Sequence, residues 1–434
     1  MTLFPILVVA VSLIELTNGE VMATWEQKAA FPGGGRHHPI TFANTTHGFV
    51  VTGSTYVDQY SSDFWAYEAA TDTWTDLSDT PSAFPGVGRS FAYGVASTTD
   101  CSNSKAYLGF GASATSRLTD FWELDMNTLK WRQLADFPGF GRRHPAMNWI
   151  EPMNEIHVGL GDGVGGNYKD WWAYDIASDS WRQLNDFPST PRHHPFYFAI
   201  GRNSYAGLGH SPGAIERDWY RYDSVDESWI SEDDFVSYEL STNGVSTTEA
   251  RVAGTQFAAS GSCNGDRRTY GFILSGDGDD HGTMATGEFH FFDPYSSEDG
   301  NDDVSRGIWH PLPPHPGYSR WAPGSFVVGS QVYFLGGYDR TLQMLFDDVW
   351  MIDLEPLFKE LEEDASNNIW IGSGDLLGND ATSTSEETEV PTILSSGGDS
   401  SGGDSSSSTT SSAASKVKAH FLIALAVTVA SCLC

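Results

Sequence analysis

A six-fold internal repeat constrains this chain more than any other feature. Each unit opens on an arginine: Arg36, Arg89, Arg142, Arg192, Arg251 and Arg320, spaced by 53, 53, 50, 59 and 69 residues. A short apolar run then ends on glycine, at Gly53, Gly111, Gly161, Gly209, Gly276 and Gly337. Next comes an acid before a bulky apolar segment: Asp63, Asp120, Asp170, Asp218, Glu288 and Asp348. In the first four units a tryptophan follows that acid by 11 residues, at Trp74, Trp131, Trp181 and Trp229. A period of this size means one supersecondary unit packed on copies of itself, so the repeat decides the fold.

The unit is built of strands. Apolar runs of four to eight residues are bounded by Gly, Pro, Asn and Asp, and helical periodicity is absent until after Leu354. Four strands per unit of about 50 residues match one blade of a β-propeller. The spacing and the Arg, Gly, acid-aromatic and Trp positions resemble the kelch repeat over residues 25 to 354. The Gly-Gly doublet of that family survives only at Gly336-Gly337. Unit five departs most, with Glu288 as its acid and Trp309 21 residues later. The resemblance implies an all-β, single six-bladed kelch-type propeller, with the first strand of each blade lining a central channel and the last at the rim. Unit six ends at DDVWMIDL without a fourth strand, whereas the segment after residue 22 reads ATWEQKAAFP. That segment matches LKWRQLADFP and DSWRQLNDFP, the last strands of units two and three. The N-terminal strand is therefore expected to close blade six, which removes an exposed sheet edge.

The flanks give an address. Residues 1–19 read as a signal peptide, with an apolar stretch from Leu3 to Leu16. Residues 20–354 are the propeller. Residues 355–415 hold 12 acids and one base and pass into a Ser/Gly/Thr tract, expected to be a disordered stalk apart from a short helix around Leu357 to Glu363. Residues 416–434 form a terminal apolar tail, an anchor signal read either as a GPI-attachment sequence with Ser411 as the candidate attachment residue or as a short transmembrane helix. The chain is expected at the outer face of the plasma membrane. Asn44-Thr45-Thr46 is a candidate N-glycosylation site. Cys101 and Cys263 are a candidate disulfide of an exported domain, and two separate thiols are the alternative. A formal charge of −33 argues against nucleic acid or acidic membrane surfaces as partners.

Chemistry concentrates where three units begin: Arg36-His37-His38-Pro39, Arg142-Arg143-His144-Pro145 and Arg192-His193-His194-Pro195. Strand alternation lets at most one residue of each His pair face the channel. The loops entering the first strand share an end of the blade with those joining strands two and three. The candidate ligand-binding face at the channel mouth is thus Arg36, His37, His38, Arg142, His144, Arg192, His193, His194, His210, Asp277, His281 and Arg320. Two readings stay open: a funnel suited to an anionic or sugar-like ligand, or side chains that recur because the repeat does. A metal site needs three or four His or carboxylates to converge, which sequence separation does not reveal; no metal or cofactor is assigned. The acidic loops at Gly276–Gly282 and Glu298–Asp303 lack the EF-hand frame. No nucleophile elbow, phosphate loop or zincin motif occurs. The leading expectation is a non-enzymatic recognition or scaffold module for a glycan or an extracellular protein. The alternative is a sugar-directed enzyme, an epimerase or a copper oxidase, as the resemblance allows; fold alone does not transfer activity.

Overall fold

The computed structural model describes residues 23–96, 105–232, 235, 250–262, 267–278, 281–295 and 307–367. The proposed signal peptide, Cys101, Cys263, Ser411, the Ser/Gly/Thr tract and the apolar tail lie outside the described residues. The chain divides into two units, and all described residues belong to the larger one.

The described chain is almost entirely antiparallel sheet. Six successive four-strand meanders follow the repeat. The third is typical: Ala146–Ile150, Glu155–Gly159, Trp171–Asp175 and Ser180–Leu184 pair in that order. The sixth takes three strands from the end of the repeat region, Gly324–Val328, Gln331–Leu335 and Val349–Asp353. Its fourth is Glu26–Lys28, paired with Val349–Asp353. The last strand of this sheet therefore comes from before the first repeat. Trp25 takes the part of the closing tryptophan. Its indole Nε1 donates to the Pro313 carbonyl, as Trp131 Nε1 donates to Ser82 and Trp181 Nε1 to Ala135. First strands touch in sequence around the sheets, and Gly324–Val328 touches Ile40–Ala43. All six line one cavity of about 120 Å³, whose polar lining includes Thr41, Asn148, Gln256 and Ser325.

The arginine that opens each unit is the centre of its packing. Arg142 is fully buried. Its guanidinium forms a two-pronged pair with Asp170, both bonds 2.7 Å, and donates to the Leu160 carbonyl at 3.0 Å. The ring of Phe137 lies 4.8 Å beneath it. Trp172 Nε1 donates to the same Asp170 at 2.8 Å, as Trp65, Trp122 and Trp350 do to Asp63, Asp120 and Asp348, which accounts for the tryptophan two residues after the acid in these units. Burial pushes the Asp170 carboxyl up, but Arg142 outweighs it and holds the group below the usual carboxylate range. The same pairs form as Arg36–Asp63, Arg89–Asp120, Arg192–Asp218 and Arg320–Asp348, while Arg251 meets Glu288 through Nη2 alone. Planar two-pronged pairing of this kind is available to arginine and not to lysine.

Glycine connects one unit to the next. Gly53, Gly111, Gly161, Gly209 and Gly276 donate their N–H to the carbonyls of Arg89, Arg142, Arg192, Arg251 and Arg320. Gly337 donates to Arg36, so the series returns to the first unit. At Gly111 φ is +81°, and a Cβ would sit 2.5 Å from the Ser90 carbonyl oxygen. No other residue fits that geometry.

The fold continues past Leu354. Glu355–Asn367 is a helix, the only one longer than a single turn among the described residues. Phe358 is buried against Tyr270 and Phe272, and Arg267 pairs with Glu355 and Glu362. The acidic segment thus begins as a packed helix.

Asp170→Asn leaves Arg142 buried without its counter-charge, and is expected to cost about 3–5 kcal/mol in urea unfolding. His315 supplies a pH test. It stands five residues before Arg320, where Phe31, Phe84, Phe137 and Phe187 precede theirs. Burial, and then the Arg320 charge, pull its pKa down to about 3. A folded value below the usual 6.5 means stability is complete above about 6.5 and declines as pH falls toward 3, because the unfolded chain takes up the proton first. His315→Phe should make the fall of the urea midpoint across that window shallower, the remainder coming from the other depressed histidines, among them His38, His144 and His194.

Candidate functional site

Each first strand is preceded by a two-residue step that the repeat places identically. One residue bridges to the turn after strand two: His37 to Ser54, Ser90 to Ala112, Arg143 to Asp162, His193 to His210, Val252 to Asp277, Trp321 to Tyr338. The next residue turns into the left-handed region: His38, Phe91, His144, His194, Ala253 and Ala322, with φ between 50° and 62°. This turn breaks strand alternation. It sends the second histidine of each pair inward, at the start of the strands that line the cavity.

The three inward histidines meet. His38 Nε2 lies 3.0 Å from His194 Nε2, and the His144 and His194 rings stack with centroids 3.5 Å apart. One ring nitrogen from each of the three falls within 4.8 Å of the others. Phe91 and Trp321 wall the cluster, 4.8 and 4.6 Å from the His38 ring. His38, His144 and His194 are all buried. Burial, followed by neighbouring His37, His144 and Arg143, keeps His38 far below the ordinary histidine value. Burial, then His144 and His38, does the same for His194. His144 falls to about 4 through burial, against the pull of Asp162. The three rings are therefore neutral at pH 7.

The outer nitrogens of His144 and His38 are held from behind. His144 Nδ1 bonds Asp162 Oδ1 at 2.8 Å, and Arg143 Nη2 donates to Asp162 Oδ2 at 2.5 Å. Burial raises the Asp162 carboxyl, but His144 and Arg143 outweigh it and bring it to about 2. The carboxylate therefore accepts, and His144 carries its proton on Nδ1. His144 Nε2 is left buried with no hydrogen-bond partner. His37 Nδ1 lies 2.7 Å from His38 Nδ1, and His193 Nδ1 is 3.0 Å from Asn167 Oδ1.

Other candidates fall elsewhere. Arg36, Arg142, Arg192 and Arg320 do not face the mouth, since their guanidinium groups are enclosed in the carboxylate pairs of the fold. Asp277 is buried and accepts from Arg340 Nε. His210 and His281 pack edge to face, 4.5 Å apart, in partly exposed loops beside His193. Asn44 is partly exposed in a turn, where its Oδ1 accepts from Thr46 and His47. Phe91, in the cluster, and Asn167, behind His193, escaped sequence reading, and Arg143 is read there only as part of the Arg142-Arg143-His144-Pro145 motif. Aligning the units on their arginines places Phe91 and the three inward histidines in one column, which is the signal that could have found it.

The loops at this end also carry exposed apolar groups. Nine large hydrophobics are exposed among the described residues, and eight of them sit here. Val87, Phe140 and Tyr318 stand two residues before a buried arginine; Tyr56, Val57, Val164, Leu342 and Met344 lie in turns after strand two. Arg89 Nε donates to the Val87 carbonyl at 3.2 Å and Arg142 Nε to the Phe140 carbonyl at 3.3 Å, so the internal arginines hold those loops in place. No family model matches the chain, and no curated protein matches it.

Asp162→Ala should strip the buried His144 Nδ1–H of its acceptor and cost about 1–3 kcal/mol. Asp162→Asn keeps an acceptor oxygen and should cost less in the same urea titration.

Proposed function

We propose that this chain is a six-bladed, kelch-type propeller acting as a recognition or scaffold module, exported and tethered at the cell surface, that binds a glycan or an extracellular protein through the loops around the histidine cluster. The ring reading is supported by the six glycine-to-arginine bonds that return to Arg36, by the cavity common to six first strands, and by Glu26–Lys28 in the last sheet.

The observation that carries recognition is the gathering of eight exposed large hydrophobics on one end of the fold. Scattered apolar side chains are ordinary on a protein surface; a set confined to one group of loops marks a contact surface. Val57 is 97% exposed, Val164 85% and Phe140 72%, so none of them is holding the core together. Phe140 stacks on Tyr168, a flat aromatic pair of the kind that meets sugar rings or apolar side chains.

Binding to a glycan array and to a panel of cell-surface ectodomains tests this reading. Val57→Ser, Phe140→Ser and Val164→Ser together should abolish the interaction while changing folding stability little, by about 0.5 kcal/mol per exposed site. Undiminished binding by the triple variant would overturn it. Removing residues up to Lys28 should lower the thermal midpoint sharply, and a truncated domain as stable as the parent would count against closure by that strand.

A further inference from the structure

The histidine cluster is placed by the fold but is not needed by it. In the column His38, Phe91, His144, His194, Ala253 and Ala322, three units build the same left-handed turn without imidazole. Three buried histidines whose nitrogens crowd one another are a costly way to fill space, because each ring brings two polar atoms that must be satisfied. His144 Nε2 is not satisfied.

We propose that His38, His144 and His194 are the protein ligands of a zinc-type divalent transition-metal ion, each giving one ring nitrogen. Zinc bound by imidazole has metal–nitrogen distances of about 2.0–2.1 Å, which put tetrahedral ligand atoms about 3.3 Å apart. The His38 and His194 Nε2 atoms, at 3.0 Å, are within a few tenths of an ångström of that spacing. The third ring has its nitrogen in the same 4.8 Å cluster.

The surroundings have the form of a metal site's support. A ligating histidine usually donates its other N–H to a carboxylate or a carbonyl, which sets the tautomer and the ring angle. His144 does this with Asp162, and Arg143 in turn holds Asp162. That leaves the His144 Nε2 lone pair inside the protein and free to bind an ion. His38 is held in the same way by His37 through the 2.7 Å contact between their Nδ1 atoms. The Nε2 atoms of His38 and His194 can hydrogen-bond only if one of them carries the proton. An ion at that place sends the proton to Nδ1 of the same ring, so each imidazole keeps one proton and none is released. For His38, that Nδ1–H then donates to His37.

The donor set selects the ion. Three neutral imidazoles with no ligating carboxylate disfavour calcium and magnesium, which take oxygen ligands, and suit zinc and its neighbours. Asp162 is occupied by His144 and Arg143, so a fourth coordination position is left for water or a donor atom of a bound ligand. The metal site stands independently of the recognition reading, since it rests on buried groups and not on the exposed loops.

Zinc titration of the full chain after chelator treatment, read by competition with a chromogenic chelator, tests the assignment. One Zn²⁺ per chain is expected. Co²⁺ in its place should give the intense visible d–d bands of a four-coordinate, nitrogen-rich site. His144→Ala should lower zinc affinity at least about 100-fold, and Asp162→Asn about 10–100-fold. Ala is the residue that units five and six already carry in this column, and His144→Phe, after Phe91, serves if the alanine variant does not fold. Absence of stoichiometric zinc uptake by the parent chain would overturn the proposal. Uptake unchanged in a folded His144 variant would also overturn it, by assigning the ion to surface groups such as His210 and His281.

Discussion

The buried arginine–carboxylate pair is the interaction on which the rest of this structure depends. Six times a guanidinium is taken out of water, and six times a carboxylate meets it from the third strand of the same sheet. Such a pair is tolerated only when its remaining donors are satisfied. In the complete units they are, by a strand-two carbonyl and the carbonyl of the entering loop. The arginine's own carbonyl then accepts from the glycine of the preceding unit. One residue thereby fixes the inside of its sheet, the loop before it and the junction to its neighbour. Unit five shows what happens when the pattern loosens: Glu288 replaces aspartate, and Arg251 Nε and Nη1 are buried without partners.

Rigidity at the arginine is what makes chemistry possible one step further on. The left-handed residue that follows lies two positions beyond a side chain locked on three sides, so its direction is set by the fold. In three units this residue is histidine, and the rings converge. The loop on the other side of the arginine is equally constrained, and there it presents Val87 and Phe140 to solvent. A buried neutral imidazole cluster and an exposed apolar rim thus share one end of the molecule for the same reason.

Most of the framework is legible in the sequence. The arginines, glycines and acid-aromatic pairs give the sheets, their order and their junctions, and the match of ATWEQKAAFP to LKWRQLADFP locates the strand that joins the last sheet. The candidate site is only half legible. The histidines stand out, but arginine beside histidine reads as a single polar motif, although burial separates the two into different roles. Strand alternation allows at most one histidine of each pair inside, without saying which one. The left-handed turn decides that, and its φ has no mark in residues such as His38 or Phe91.

The sequence by itself determined the repeat, because period, glycine and paired charges are local and recur. Tertiary structure alone decided the meeting of His38, His144 and His194, which lie 106 and 50 residues apart along the chain. Their distances depend on how six sheets are placed around a common cavity, and that arrangement comes from junction hydrogen bonds and packing between units. It likewise decided that the helix expected around Leu357 docks on the sheets through Phe358, since an amphipathic turn packs only when an apolar surface stands ready to receive it.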